Sequence, residues 1–374
     1  MKNILINEIS LILICFFLPG FETLQAQDVW EGYEHLFTPE RHYVAYRADA
    51  KIDIDGRGEE DAWHNARWSE YFKDIEGEGK PDPLFQTRFK MLWDNEYLYV
   101  LAELEEPHIW AYYDKRDMIV YHENDFEIFI DPVGSTHNYF EFECNAQNTL
   151  FDLFLPKPYR DGGKPDIEWD AEGLKSAIYL DGTLNDPSDT DRKWTLEVAI
   201  PFSSLSVAGK FHVPENEDIW KINFSRVQWQ TEIVDGKYKR KKNADTGKIL
   251  SENNWVWSPQ GVINMHYPER WGMVMFSEHS VDGGKINFQV PDEEKLRKYL
   301  WLVYYKQQKY KRENGIFAGS LSELNIPEKF KYGNISYHIK LITDSSGFQA
   351  ILETENETLM SVDQYGFFQR INKK

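Results

Sequence analysis

From Val44 to Phe276 the chain repeats one local pattern, in which apolar and polar residues alternate briefly and then give way to Gly, Pro, Asn or Asp. Phe85, Thr87, Phe89, Met91 and Trp93 alternate with Gln86, Arg88 and Lys90. After the turn Trp93-Asp94-Asn95-Glu96, the run Tyr97-Leu98-Tyr99-Val100-Leu101 completes a hairpin. Phe126, Ile128 and Ile130 alternate with Asp125, Glu127 and Asp131, and Phe140, Phe142 and Cys144 with Tyr139, Glu141, Glu143 and Asn145. Successive side chains of a strand point to opposite faces, so this period puts one row in a core and the other on a polar face. Further strands are expected at 194–200, 220–228 and 272–276. Short strands at this spacing predict an all-β fold, an antiparallel β-sandwich. The polar stretches 156–165 and 232–254 are expected to be loops, and Asp55-Gly56 through Trp63 a turn into a short helix.

The character changes near Ser280, where Val281-Asp282-Gly283-Gly284 breaks the strand pattern. Pro291 opens a run with Leu296, Leu300, Val303 and Tyr304 that stops at Asn314-Gly315. Proline at the start, glycine past the end and apolar residues three and four apart predict an amphipathic helix. Strand-like pieces follow at 336–342, 348–353 and 358–362. This is a small C-terminal α+β appendage, either a separate domain or one that packs its helix on the sandwich.

At the other end, Met1-Lys2-Asn3 precedes an apolar run from Ile9 to Pro19 and then Leu24-Gln25-Ala26. That order is a secretory signal peptide, with cleavage expected after Ala26. The run of roughly 11 residues is short of the ~20 that cross a bilayer as a helix. Ile14 precedes Cys15 where a lipid-anchor signal wants a small residue, so no lipid anchor is expected. The expected layout is a signal at 1–26, a sandwich at 27–280 and the appendage at 281–374, in a protein exported to the periplasm or the exterior. Cleavage leaves Cys144 as the one cysteine, so the mature fold relies on its core rather than on a disulfide.

Lysine and arginine number 42 against 62 acidic residues, a net charge of −20. Such a surface repels phosphate backbones and anionic lipid, which excludes nucleic acid and membrane surfaces as expected partners and suits neutral ligands. No later segment has the length and apolarity of a membrane span. Aromatic residues make up 15% of the chain. Trp93, Tyr97, Tyr99, Trp194, Trp220 and Trp271 fit the core, and enough rings remain for an exposed platform of the kind that stacks on sugars.

Five strings of this sequence, in order, resemble family 9 carbohydrate-binding modules: Ile54-Asp55-Gly56 with Ala62-Trp63; Phe89 to Val100 (FKMLWDNEYLYV); Glu123 to Asp131 (ENDFEIFID); Trp194 to Pro201 (WTLEVAIP); and Pro268-Glu269-Arg270-Trp271-Gly272. The resemblance spans roughly residues 40 to 278 and implies a sandwich that holds a saccharide between two aromatic rings while a carboxylate, amides and an arginine bond its hydroxyls. It implies that Glu127 is the ligand carboxylate and that the first ring is Tyr121 or Trp110. The second ring falls between Trp257 and Pro268, where a gapless match puts Met265 beside His266, with Tyr267 and Trp257 as the alternatives. The implied partners are polysaccharide or oligosaccharide, in company with secreted glycoside hydrolases.

Parity adds two candidates. Asn145 shares a strand face with Glu141 and Glu143 and extends that polar surface. Arg226 falls on the parity of Ile222 and Phe224, so it is expected to be partly buried and paired with a carboxylate, Glu127 or Glu143. The ligand-binding candidates are thus Glu127, Tyr121, Trp110, Arg226, Trp257, His266 and Asn145. No nucleophile elbow, HExxH, CxxC or phosphate-cradling glycine loop is present, so no catalytic residue is assigned. A glycoside hydrolase, and a haem-binding relative of the sandwich using Met265 and His266, are the alternatives. No cofactor is required; a structural calcium ion in the Asp-rich loop 181–191 is compatible with the sequence.

Overall fold

The computed structural model describes residues 29–281 and 286–371. The expected signal peptide and its cleavage site lie outside the described residues. The larger domain holds strands β1 (His42–Arg47), β2 (Lys73–Asp74), β3 (Thr87–Trp93), β4 (Tyr97–Glu105), β5 (Asp125–Asp131), β6 (Tyr139–Asn145) and β7 (Leu150–Leu155). It continues with β8 (Lys175–Asp181), β9 (Lys193–Pro201), β10 (Ile219–Gln228), β11 (Thr231–Val234), β12 (Lys237–Arg240), β13 (Asn253–Val256) and β14 (Gly272–Ser280). Helix α1 (Asp61–Asn65) follows the Asp55-Gly56 turn, as the sequence predicts.

The main path of the sheet runs β7-β6-β5-β10-β14-β1-β3-β4-β9-β8, with β13 added beside β10 and β2 beside β13. The sheet folds back on itself. One apolar cluster joins Phe126, Ile128, Phe140 and Phe142 of β5 and β6 to Met91, Val100, Trp194 and Leu196 of β3, β4 and β9. This is the expected β-sandwich, with β1 running parallel to both β14 and β3 as a local exception to antiparallel pairing. Trp93, Trp194 and Trp220 are buried in the sandwich core as their strand parity demands, and Trp271, just before β14, is buried on the other side of the sheet against Phe129 and Tyr139. The stretch expected as a loop at 232–254 instead carries the β11–β12 hairpin and the start of β13. Its strands are short and polar, so period-two hydrophobicity gave no sign of them.

Beyond the break, α2 (Asp292–Asn314) begins after Pro291 and ends where Gly315 turns left-handed at φ 78°. Strands β15 (Lys329–Tyr332), β16 (Ile335–Thr343), β17 (Phe348–Glu353), β18 (Thr358–Asp363) and β19 (Phe368–Arg370) form a separate five-stranded antiparallel meander. Leu300, Trp301 and Tyr304 of α2 share a core with Ala350, Leu352 and Val362, and Leu36 joins it from the N-terminal side. The appendage packs its helix on the sandwich. Glu294 of α2 meets Lys221 of β10 at 2.9 Å, Arg297 donates to the Gly134 carbonyl at 3.1 Å, and Tyr305 donates to Glu269 at 2.6 Å.

Candidate functional site

The outer face of β5, β6, β7 and β10 is where the polar residues of the alternating strands must go, and it is concave. Antiparallel register lines up Ser225, Glu127, Glu143 and Phe151 in one row across four strands, and Asn223, Phe129, Glu141 and Leu153 in the next. A cleft of about 480 Å³ opens over these rows. Its floor is Glu127, Glu141, Glu143, Phe129 and Phe151; Tyr121 and Tyr159 stand at its walls with His266 and Met265. Ile119, Ile167 and Ile263 rim it and are exposed, as are both tyrosines.

Each wall is held by specific bonds. A single helical turn at Val120–His122 carries Tyr121, whose N–H donates to Glu143 Oε2 at 2.9 Å while its carbonyl accepts from Trp229 Nε1 at 2.9 Å. Tyr159 lies in the loop after β7. Its neighbours anchor it, since Arg160 donates to Glu269 at 2.9 Å and Asp161 accepts from Tyr304 of α2 at 2.7 Å. His266 shares a 2.9 Å hydrogen bond with Tyr139 Oη and packs edge-on against Tyr159, ring centres 4.4 Å apart. Burial, reinforced by the Arg160 guanidinium, pulls its imidazole pKa down to about 3, so the ring is neutral.

The sheet face under the cleft is unusual in its charge. Asp125, Glu127, Glu141 and Glu143 are all buried on one sheet face. Burial first, then their mutual proximity, pushes Asp125, Glu141 and Glu143 well above the usual carboxylate range. Burial also lifts Glu127, to about 7, against the neighbouring Ser225 hydroxyl, which lowers it.

The candidates named from the sequence divide sharply. Glu127, Tyr121 and His266 come together in the cleft. Trp257 does not: it is fully enclosed, with its indole against Phe89 and Phe224. A Cβ on Gly272 would come within 2.2 Å of that indole, so the glycine is what lets it lie flat in the core. Trp110 is also buried, in a satellite cluster with Val227, Trp229 and Tyr238. Asn145 lies on the outer face as parity requires, yet the chain segment above covers it. Its amide donates to the Tyr113 carbonyl and to Glu123, and its oxygen accepts the Gln147 and Thr149 N–H groups.

Arg226 is buried on the inner side, as expected, but its partner is Glu106 at 3.0 Å, with Thr87 and Gln228 also bonded to the guanidinium. Glu127 and Glu143 face outward from their strands and cannot reach it. Sequence reasoning missed Tyr159, hidden in a stretch expected only to be a polar loop, and missed Phe129, whose parity with Glu127 was the available signal. In the loop 181–191, Asp191 accepts from Ile109 and Thr183 N–H groups and Asp181 pairs with Arg192. Among the described residues, the acidic groups close enough to share an ion are elsewhere: Asp125, Glu127 and Glu143, and Asp117, Asp152 and Asp170. Met265 Sδ accepts from Gln260 Nε2 at 3.3 Å, fixing it in the cleft wall. No helix of the described residues is long and apolar enough to cross a membrane.

The chain is similar to several known proteins. The exoglucanase XynX of Acetivibrio thermocellus is 26% identical over 118 residues, which is 32% of this chain and 9% of that protein. A Bacteroides uniformis structure aligns over 64% of this chain and all of its own length at 14% identity and a TM-score of 0.47. A family 9 carbohydrate-binding module of Caldicellulosiruptor kristjanssonii, in complex with cellotriose, aligns over 67% of this chain and all of its own length at 17% identity and a TM-score of 0.38. Residues 54–218 match the family described as carbohydrate family 9 binding domain-like.

Proposed function

We propose that this chain is an exported, non-catalytic carbohydrate-binding protein whose cleft above β5 and β6 takes a saccharide ring. The observation that carries the reading is the pairing of two exposed tyrosines, Tyr121 and Tyr159, with an acidic floor in one open cleft of about 480 Å³. A pyranose presents an apolar C–H face and a hydroxyl rim, so it is matched by flat rings beside convergent polar groups. The volume lies in the range of small-ligand sites, roughly 300–1,000 Å³. The family match supports the same class of ligand.

The placement of the acids supports binding without cleavage. A glycosidase sets its two carboxyl groups on either side of the scissile bond. Here Glu127, Glu141 and Glu143 all rise from one sheet face, so they meet a sugar from one side. The signal-like N-terminus and the acidic surface support export and a role beside secreted glycoside hydrolases in polysaccharide breakdown.

The test is affinity electrophoresis and calorimetry of the purified mature chain against a panel of β-glucans, xylans and their oligosaccharides. Retention on at least one glycan, lost in Tyr121→Ala and Tyr159→Ala variants that melt like the wild type, is the expected result. Retention on none of the panel would overturn the reading.

A further inference from the structure

We propose that the floor of the cleft is a divalent-cation site, with calcium the ion that fits it best and Asp125, Glu127 and Glu143 its protein ligands. Oxygens of these three residues all lie within 4.8 Å of one another. Calcium takes six to eight oxygen ligands in flexible geometry, carboxylates among them, whereas magnesium demands a near-ideal octahedron and keeps several of its waters. The donors are all carboxylate, the hard chemistry that calcium prefers over transition metals.

A cluster of acids by itself proves little on a surface, but this one is buried and under-satisfied. Asp125 is fully buried and its Oδ2 has no hydrogen-bond partner; Glu141, 5% exposed, lines the same cleft with Oε2 likewise unpartnered. The contacts that do exist are few: the Val227 N–H to Asp125 at 3.3 Å, the Tyr121 N–H to Glu143 at 2.9 Å, the Val120 N–H beside Glu143 and the Ser225 hydroxyl beside Glu127. None of the ion pairs among the described residues involves any of the four carboxylates. The contrast with the other acidic trio is direct, because there Arg116 already sits against Asp152 and Asp170. Buried carboxylates at this spacing require a counter-charge or protons. A cation satisfies the orphan oxygens and leaves its upper hemisphere open to the cleft, where water or a sugar hydroxyl completes the six to eight ligands calcium takes.

The experiment is a calorimetric titration of the EDTA-stripped mature chain with calcium chloride at pH 8, without saccharide, followed by thermal melts. One site is expected, with a Kd of roughly 10⁻⁵ to 10⁻³ M. Asp125→Asn and Glu143→Gln are each expected to weaken it by about tenfold or more, while Asp170→Asn leaves it unchanged. No heat and no melting shift up to about 10 mM calcium means that the carboxylates hold protons only, and sinks the proposal. Undiminished affinity in both floor variants does the same. If Asp125→Asn fails to fold by circular dichroism, Glu143→Gln decides alone. Because no sugar is present, failure here is distinguishable from failure of glycan retention.

Discussion

Glu127 and Glu143 stand directly opposite each other on β5 and β6, both on the outer face and both buried. Like charges in directly opposed positions destabilise a sheet, the more so where water cannot screen them. In calcium-free buffer at pH 8, Glu143→Gln is therefore expected to stabilise the protein by about 1 kcal/mol. The glutamine oxygen still accepts the Tyr121 N–H, so the wall of the cleft is kept. Chemical denaturation in EDTA checks this, and a fall in stability would mean that the opposed pair is held by a favourable interaction.

Trp257, a ring candidate from the sequence, is a core residue, and Tyr159, which the sequence did not single out, stands at the cleft wall. Trp257 fills the core against Phe89 and Phe224, so Trp257→Ala leaves a large cavity and is expected to cost about 3–5 kcal/mol. Tyr159 is exposed at the cleft wall, and Tyr159→Ala is expected to leave stability nearly unchanged while weakening saccharide retention about tenfold, the scale of one lost ring contact. Denaturation midpoints and glycan affinity electrophoresis on the two variants separate the roles. Weaker retention in a folded Trp257→Ala protein with Tyr159→Ala unaffected would reverse the assignment.

The C-terminal helix touches the Tyr159 loop directly through a hydrogen bond from Tyr304 Oη to Asp161 at 2.7 Å, two residues from Tyr159, and at one remove through Tyr305 on Glu269. Tyr304→Phe removes that bond and little else, since the ring still packs in the appendage core. Retention is expected to fall roughly two- to tenfold, the effect of about 0.5–1.5 kcal/mol for one hydrogen bond. Unaltered retention would show that the loop is held well enough by Arg160 and Glu269 alone.

Strand parity made most of this architecture legible. Alternation placed Phe126 and Ile128 inward and Glu127 outward, and proline and glycine marked both ends of α2. The same parity contained the error at Arg226. An inward arginine cannot pair with Glu127 or Glu143, which face the other way, and its partner Glu106 lies just past the end of β4, where no alternation marks a direction. Tyr159 was illegible for a different reason. It sits on a turn whose place over the sheet is set by Glu269 and Tyr304, residues more than a hundred positions away, and no local pattern encodes such a contact.

Glu294 couples the two units electrostatically, and the coupling has a sign. It lies between Lys221 of β10 and Arg297 of its own helix, both at 2.9 Å. Burial works to raise its pKa, but the two cations outweigh burial and hold the carboxyl below the usual carboxylate range. A carboxylate whose folded pKa is depressed contributes stability that is complete above the unfolded value, about 4.5, and is lost as pH falls toward the folded one. At pH 7, Glu294→Gln is expected to cost about 3 kcal/mol, since it leaves Lys221 and Arg297 buried without their anion. Below about pH 4 the wild type progressively loses this contribution, because the unfolded chain's Glu294 takes up a proton while the folded one stays ionised, so the two stability curves draw together. Denaturation of both proteins from pH 7 to pH 3 measures the gap directly; a gap that stays constant, or widens in acid, would place the stabilising charge elsewhere than on Glu294.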